Sequence, residues 1–142
     1  MPINGYNSLC KERQKIIKSK DKKRPQKHIA KNVNNNRVTH YRVDGVIIRN
    51  AKACDFLLMN EDTKTAYLIE LKGGEISDAV DQLKQTENSL RDELAGYKLQ
   101  FRIVMKKCKT QQIENASTKK ILASWRKKKQ FRKEECVLKE DI

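Results

Sequence analysis

The sequence lacks long apolar runs. No run of apolar residues is longer than four, as at 56–59, whereas a membrane-spanning helix needs about 20 such residues. The first ten residues also lack the basic and apolar segments of a secretory signal. We therefore expect a cytoplasmic protein that neither crosses a membrane nor enters the secretory route.

Closely spaced cysteines are also absent. The four cysteines, at positions 10, 54, 108 and 136, form no CxxC pair and no pairing with a histidine. This spacing argues against a zinc site and against a dense disulfide scaffold. Reduced thiols in an intracellular, reducing compartment are the preferred interpretation.

Acidic residues are far fewer than basic residues. The 142 residues include 32 Lys and Arg against 18 Asp and Glu, a formal net charge of +14. Such a surplus predicts attraction to a polyanion, because each neutralised phosphate releases condensed counterions. Nucleic acid, most simply DNA, is the expected partner, and an acidic membrane surface is the second candidate.

The positive charge is unevenly distributed along the chain. The net charge is +9 over residues 1–41, −4 over 42–97 and +9 over 98–142. Uniform binding to a polyanion does not require eleven carboxylates in the middle segment, so the chain has basic flanks around an acidic centre. The candidate nucleic-acid contacts in these flanks are Lys22, Lys23, Arg24, Arg126, Lys127, Lys128 and Lys129.

The basic N-terminal segment, residues 1–37, is predicted to be a short helix followed by an exposed, mobile tail. Leu9, Ile16 and Ile17 fall at the i, i+7 and i+8 positions of a helical stripe. From residue 18 to residue 37 apolar residues are few and the run Asn34-Asn35-Asn36 occurs, which is typical of an exposed connection.

The middle of the chain changes from a sheet pattern to a helix pattern. Strands are predicted at 43–48, 54–59 and 65–71, with Gly73 and Gly74 ending the third. A helix capped by Ser77 and stopped by Gly96 follows. A strand is predicted at 98–105, then a helix at 117–130 and a short strand at 136–138.

These elements predict one α/β (α+β) domain over residues 1–142. The order α-β-β-β-α-β gives a central mixed sheet flanked by helices. The core is expected at about residues 38–106 and a basic extension at 107–142.

Two carboxylates and a lysine are predicted to converge on this sheet. Glu70 and Lys72 are two residues apart on the third strand, so they project to the same face about 7 Å apart. If the second and third strands pair through the 60–64 loop, Asp55 lies beside Glu70. Such a pair suits Mg²⁺ or Mn²⁺, which prefer oxygen ligands, and the lysine can assist hydrolysis.

A family resemblance strengthens this interpretation. Residues 54–74 read CDFLLMNEDTKTAYLIELKGG, and the helix containing Asp81-Gln82-Leu83 follows. An acidic residue on one strand, E-x-K on the next and then a helix resembles the PD-(D/E)XK nuclease superfamily. The resemblance covers about residues 42–105 and implies a restriction-endonuclease-like core, as in Holliday-junction resolvases, which act as homodimers.

The resemblance implies roles for particular residues in a Mg²⁺-dependent nuclease that cleaves DNA. Asp55, Glu70 and the backbone carbonyl of Leu71 would hold the metal, and Lys72 would be the catalytic lysine. Gln82 and Glu12 are weaker auxiliary candidates. The chain departs from the family pattern in two places: Cys54 stands at the family's Pro, and Thr86 stands where an exonuclease-like helix has Tyr.

Several alternatives stay open. A nuclease-like module that binds nucleic acid or a partner without cleaving anything is the main rival, and an RNA-binding scaffold is a weaker one. An E-x-K triplet can be a solvated ion pair at a strand end. Asp44 is either a further acidic group of the site or a solvated carboxylate near Gly45.

Three ring-bearing residues also have more than one interpretation. His28 and His40 are expected to be surface or core imidazoles rather than catalytic bases. Trp125 either stacks on a base or packs against the sheet, and packing is the commoner outcome.

Overall fold

The described part of the chain forms two sheets and two helices. The computed structural model describes residues 3–72, 74–106 and 115–142, so Gly73 and Cys108 lie outside the described residues. Within the described ranges the elements in chain order are β1 (Ile16–Lys20), β2 (Lys27–Lys31), β3 (Val38–Arg42), β4 (Phe56–Asn60), β5 (Thr65–Lys72), α1 (Ile76–Ser89), β6 (Lys98–Met105), α2 (Ala116–Lys127), β7 (Phe131–Glu135) and β8 (Val137–Asp141). The predicted mixed class is confirmed.

The larger sheet has the order β3-β4-β5-β6-β7. β3, β4 and β5 are antiparallel neighbours, whereas β5, β6 and β7 run parallel to one another. Parallel neighbours need a crossover connection, and α1 and α2 lie in the two crossovers. The central sheet is therefore mixed, as predicted.

The smaller sheet has the order β1-β2-β8 and covers one face of the larger sheet. Ile17 and Leu138 of the small sheet form one apolar cluster with Leu58 and Ile69 of the large sheet. On the other face of the large sheet, Leu57 belongs to a second cluster with residues of both helices. Because both faces of the large sheet are covered, β4 is buried at every position.

The prediction of an N-terminal helix and mobile tail is wrong. Residues 16–20 and 27–31 are strands, paired antiparallel as β1 and β2. Ile17 and Ser19 point inward and are 1% and 0% exposed, while residues 16, 18 and 20 are exposed. The burial pattern therefore has a period of two, which is typical of a strand buried on one face. The lysines on its exposed face give the segment the composition of a solvated tail.

The first predicted strand, 43–48, is also wrong. β3 lies just upstream, at Val38–Arg42, and residues 43–48 form a tight turn in which the N–H groups of Val46, Ile47 and Ile48 point to Val43 O. Gly45 has φ +80°, a conformation that favours glycine. Turn geometry thus overrides the strand preference of the β-branched residues here.

The remaining predicted elements are close to those observed. α1 begins after Glu75 rather than at a Ser77 cap and ends near Leu90 instead of reaching Gly96. β6 has the predicted bounds, and α2 is capped by Asn115, whose side chain accepts the Thr118 N–H. β7 was not predicted. Neither described helix is long and apolar enough to cross a membrane.

Candidate functional site

Asp55 and Glu70 meet at one end of the large sheet. Phe56 of β4 pairs with Ile69 of β5. Because the strands are antiparallel, Asp55, which precedes Phe56, lies beside Glu70, which follows Ile69. The Asp55 N–H donates to Glu70 Oε1 at 3.1 Å, and the Leu71 N–H donates to Asp55 Oδ2 at 2.9 Å. Asp55 is 4% exposed and Glu70 is 1% exposed. The structure therefore brings together the two carboxylates that the sequence singled out.

Burial disfavours the ionised form of both carboxyls in this pair. Burial and the neighbouring Asp55 carboxyl raise the pKa of Glu70 to about 9. Burial also raises the pKa of Asp55, although the Leu71 N–H and the guanidinium groups of Arg24 and Arg42 act in the opposite direction. Two adjacent buried carboxyls of this kind are unfavourable as a pair of anions unless a cation lies between or beside them.

Two arginines supply positive charge at the pair. Arg24 Nη1 donates to Leu71 O and lies 3.7 Å from Asp55 Oδ2. Arg42 Nη2 lies 3.8 Å from Asp55 Oδ1 and 3.5 Å from Asp21. Arg24 belongs to the turn between β1 and β2, so the small sheet delivers a guanidinium to the end of the large sheet.

Lys72 and Gln82 border the carboxylates. Lys72 is half-buried at the end of β5, on the same face as Glu70, and its charge acts to lower the Glu70 pKa. Gln82 of α1 donates from Nε2 to Ala53 O at 3.4 Å, close before Asp55 in the chain. Its Oε1 is buried and has no hydrogen-bond partner among the described residues, so it is an unused acceptor on the helix that contacts the segment just before Asp55.

Two auxiliary acidic candidates do not join the site. Glu12 O accepts the Val38 N–H at the start of β3, and the Asp55 end of the sheet lies four residues further along β3, about 13 Å away. Asp44 is exposed, and no hydrogen bond or ion pair within the described residues links its carboxylate to the pair. Asp44 is therefore a solvated carboxylate, and Glu12 was assigned from a helix that does not exist.

The predicted basic contacts divide between the two ends of the large sheet. Lys22 and Lys23 are exposed on the same turn as Arg24. The cluster at 126–129 lies at the end of α2, where Gln130 O accepts the Phe101 N–H. Phe101 precedes Met105, the register partner of Lys72, by four residues, which is about 13 Å along a strand. The α2 cluster therefore lies away from the carboxylates.

The oxygens at the pair fit a hard divalent cation. No group of three or more His, Cys, Asp or Glu side chains within 3–72, 74–106 and 115–142 is arranged to hold a metal. Mg²⁺, however, is usually held by one or two carboxylates and keeps several waters. Asp55, Glu70 and the Leu71 carbonyl are a donor set of this type, and a guanidinium already lies against two of them.

A separate buried network lies between the two sheets. Glu140 of β8 accepts from His28 Nε2 at 2.7 Å and from Arg102 Nε at 2.8 Å. His40 lies 2.9 Å from Ser19 Oγ, and burial lowers its pKa to about 4. Both histidines are core residues, as one of the two interpretations predicted, and their side-chain hydrogen-bond partners among the described residues are Glu140 and Ser19, not the carboxylate pair.

Sequence analysis missed the contact of Arg24 and Arg42 with Asp55. Arg24 precedes Asp55 by about thirty residues, in a segment interpreted as a mobile tail, and no local pattern signals the contact. Comparisons of the chain with protein-family models, with curated proteins and with solved structures found no match. The function is therefore inferred from the geometry and chemistry of the chain's own residues.

Proposed function

We propose that the chain is a Mg²⁺- or Mn²⁺-dependent nuclease that hydrolyses phosphodiester bonds in DNA. The observation that carries the proposal is the buried pair Asp55 and Glu70, hydrogen-bonded across two adjacent strands, with Lys72 two residues beyond. A structural ion pair at a strand end would be exposed and would not need two adjacent carboxyls. A pair of buried acids beside a lysine is typical of a functional site.

Each residue has a distinct role in this proposal. Asp55, Glu70 and the Leu71 carbonyl would hold the metal, which when bound polarises the scissile phosphate and makes water a better nucleophile. Lys72 would orient the attacking water and stabilise negative charge on the phosphate as the bond breaks. Gln82 offers its unpartnered Oε1 as an acceptor for that water.

The order of elements supports a restriction-endonuclease-like core. From β3 onward the chain runs β-β-β-α-β, with an antiparallel hairpin followed by a parallel crossover through α1. That is the order implied by the resemblance, apart from its first helix, which is replaced by the β1–β2 hairpin. A Holliday-junction-resolvase-like activity in a homodimer remains part of the proposal, to be tested with branched substrates.

One observation favours a second candidate function. The Arg24 guanidinium already donates a hydrogen bond to Leu71 O and lies beside the Asp55 carboxylate. The chain can therefore balance the negative charge of Asp55 without a metal. In that case the chain would be a nuclease-like module that binds nucleic acid and cleaves nothing. Such a binder would show no change in DNA affinity or thermal stability with Mg²⁺ or Mn²⁺.

The test is cleavage by the purified full chain. Supercoiled, linear, single-stranded and four-way-junction DNA are incubated with Mg²⁺, Mn²⁺ or a chelator, and products are resolved on gels. We expect metal-dependent cleavage that falls about 100-fold or more in Asp55→Asn, Glu70→Gln and Lys72→Met. No cleavage of any substrate, or an Asp55→Asn protein that cuts like the wild type, would overturn the proposed chemistry.

Asp81→Asn is the matched control. Asp81 is a carboxylate of α1 paired with Lys52, and its side chain is 44% exposed. Removing it changes the net charge as Asp55→Asn does, but at a solvent-exposed position. We expect its cleavage rate and its circular dichroism to match the wild type, which separates a role in chemistry from a general effect of charge.

A further inference from the structure

The outer face of the small sheet carries a dense group of lysines. Alternation along each strand places one set of side chains inward, including Ile17, His28 and Leu138, and the other set outward. The outward set contains five lysines and one acid. Its members are Ile16, Lys18, Lys20, Lys27, Ile29, Lys31, Val137, Lys139 and Asp141.

Strand register fixes how these lysines are arranged. Lys20 pairs with Lys27, and Lys18 pairs with Ile29, which pairs in turn with Lys139. Lys20 and Lys27 are therefore about 5 Å apart at Cα and Lys18 and Lys20 about 7 Å, while Lys18 and Lys139, two strands apart, are separated by about 10 Å. Within the part of the chain that the structure describes, none of the five lysines forms an ion pair.

This lysine face adjoins the carboxylate site. Lys20 is the last residue of β1 and Lys27 the first of β2, and the turn that joins them carries Arg24. The Lys27 N–H donates to Cys136 O, and the Cys136 N–H donates to Met105 O beside Lys72. The basic cluster at the end of α2, by contrast, lies at the other end of the large sheet.

We propose that the outer face of the β1-β2-β8 sheet binds the phosphate backbone of duplex DNA and that Lys18, Lys20, Lys27, Lys31 and Lys139 make the contacts. The duplex would pass over the β1–β2 turn, which brings one strand to Asp55 and Glu70. The inference rests on the proposed function for its choice of DNA. It assigns the binding surface to the small sheet instead of to the predicted residues 126–129.

The composition of the face favours nucleic acid over an acidic membrane. Proteins that bind membrane surfaces combine lysines with apolar side chains that enter the bilayer. Here Ile29 is 9% exposed and only Ile16, at 49%, is a largely exposed apolar side chain of the set. Unpaired ammonium groups on a regular sheet are suited to a backbone of regularly spaced phosphates, and no aromatic side chain is present for stacking on bases.

The test compares two triple variants of the full chain in chelator, so that no cleavage occurs. One replaces Lys18, Lys20 and Lys139 with Gln; the control replaces Lys127, Lys128 and Lys129 with Gln, which removes the same charge at the other end of the large sheet. Affinity for a labelled duplex is measured by fluorescence anisotropy at several salt concentrations. The same affinity measurement with an RNA duplex and with vesicles containing phosphatidylserine identifies which ligand the face prefers.

We expect the small-sheet variant to bind the DNA duplex at least about tenfold more weakly than the control. Its log–log salt slope should become shallower by about 0.9 for each phosphate that is no longer neutralised. Equal losses in the two variants, wild-type affinity in the small-sheet variant, or tighter binding to RNA or vesicles than to DNA would overturn the inference. Binding through this face by a chain that cleaves nothing would support the inference while removing the proposed nuclease activity.

Discussion

Arg24 Nη1 donates a hydrogen bond to the carbonyl oxygen of Leu71 and lies 3.7 Å from Asp55 Oδ2. These are two of the three oxygen donors proposed for the metal. A metal bound as proposed would compete with the guanidinium for the same atoms, and one would have to leave before the other binds. The side chain of Arg24 is 40% exposed, so it has room to turn toward solvent or toward a phosphate.

The first prediction follows from this competition. Arg24→Ala should increase the affinity for Mn²⁺ by about tenfold, a difference of about 1.4 kcal/mol, because the metal no longer displaces a guanidinium. The measurement is the thermal unfolding midpoint against Mn²⁺ concentration. Arg37→Ala is the control, since Arg37 pairs with Asp62 at 2.9 Å on the exposed surface. Unchanged or weaker Mn²⁺ binding in Arg24→Ala would contradict the competition.

The second prediction concerns stability and the pKa of Glu70. Because this pKa is about 9 in the folded chain and the ordinary value for a glutamate is 4.5, the folded state holds a proton that the unfolded state releases between these values. Stability should therefore fall as pH rises from about 4.5 to about 9. In chelator, Glu70→Gln should remove much of this fall and melt several degrees higher than the wild type near pH 8.5. Identical melting profiles of the two proteins across that range would contradict it.

The third prediction concerns Glu140, whose pKa is shifted downward, so its effect on stability depends on pH in the opposite direction. Burial alone would raise its pKa, but hydrogen bonds from His28 and Arg102 outweigh burial and hold the pKa at about 2, below the ordinary 4.5. The stabilisation is therefore complete above about pH 4.5 and is lost as pH falls toward 2. At pH 7, Glu140→Gln should lose about 3 kcal/mol of unfolding free energy in urea, and the loss should shrink in acid.

Glu134→Gln is the control for Glu140. Glu134 lies on β7, and its side chain is 48% exposed beside Arg132. An exposed pair contributes little, so we expect urea midpoints close to the wild type at every pH. A loss in Glu134→Gln as large as in Glu140→Gln would show that net charge, not the buried network, sets the acid dependence.

The fourth prediction concerns Trp125, the only tryptophan of the chain. The residue is 4% exposed and its ring stacks on Phe101, with centroids 4.0 Å apart and planes at 10°. Trp125→Ala should lose about 3–5 kcal/mol of unfolding free energy, and Trp125→Phe should lose less. Since the ring packs in the core, DNA should not quench its fluorescence. Strong quenching on DNA binding would instead indicate an exposed ring.

The residues of the pair could be found from sequence because the signals are local. Glu70 and Lys72 follow an apolar strand at a spacing of two, and Asp55 is a single carboxylate among apolar residues. The period of two fixes the face of a strand, and one short loop fixes the register of β4 with β5. The prediction that Glu12 joins the site was wrong because it relied on an N-terminal helix, and three apolar residues are too few to establish a helix.

The small sheet could not be predicted because its pairing is not local. β1 and β2 are short and rich in lysine, so their composition is typical of a solvated segment. Their burial depends on β8, and nothing in the sequence near residue 27 indicates that partner. The contact of Arg24 with Asp55 depends on the position of this sheet and was therefore hidden as well.

The parallel pairing of β2 with β8 has a consequence for folding. His28 and Glu140, joined by a hydrogen bond between these strands, are 112 residues apart in the sequence. Pairing across such a separation closes a long loop and is slow. The β1–β2 hairpin lacks its third strand until β8 has been synthesised. We therefore expect the turn that carries Arg24 to reach its place beside Asp55 late in folding.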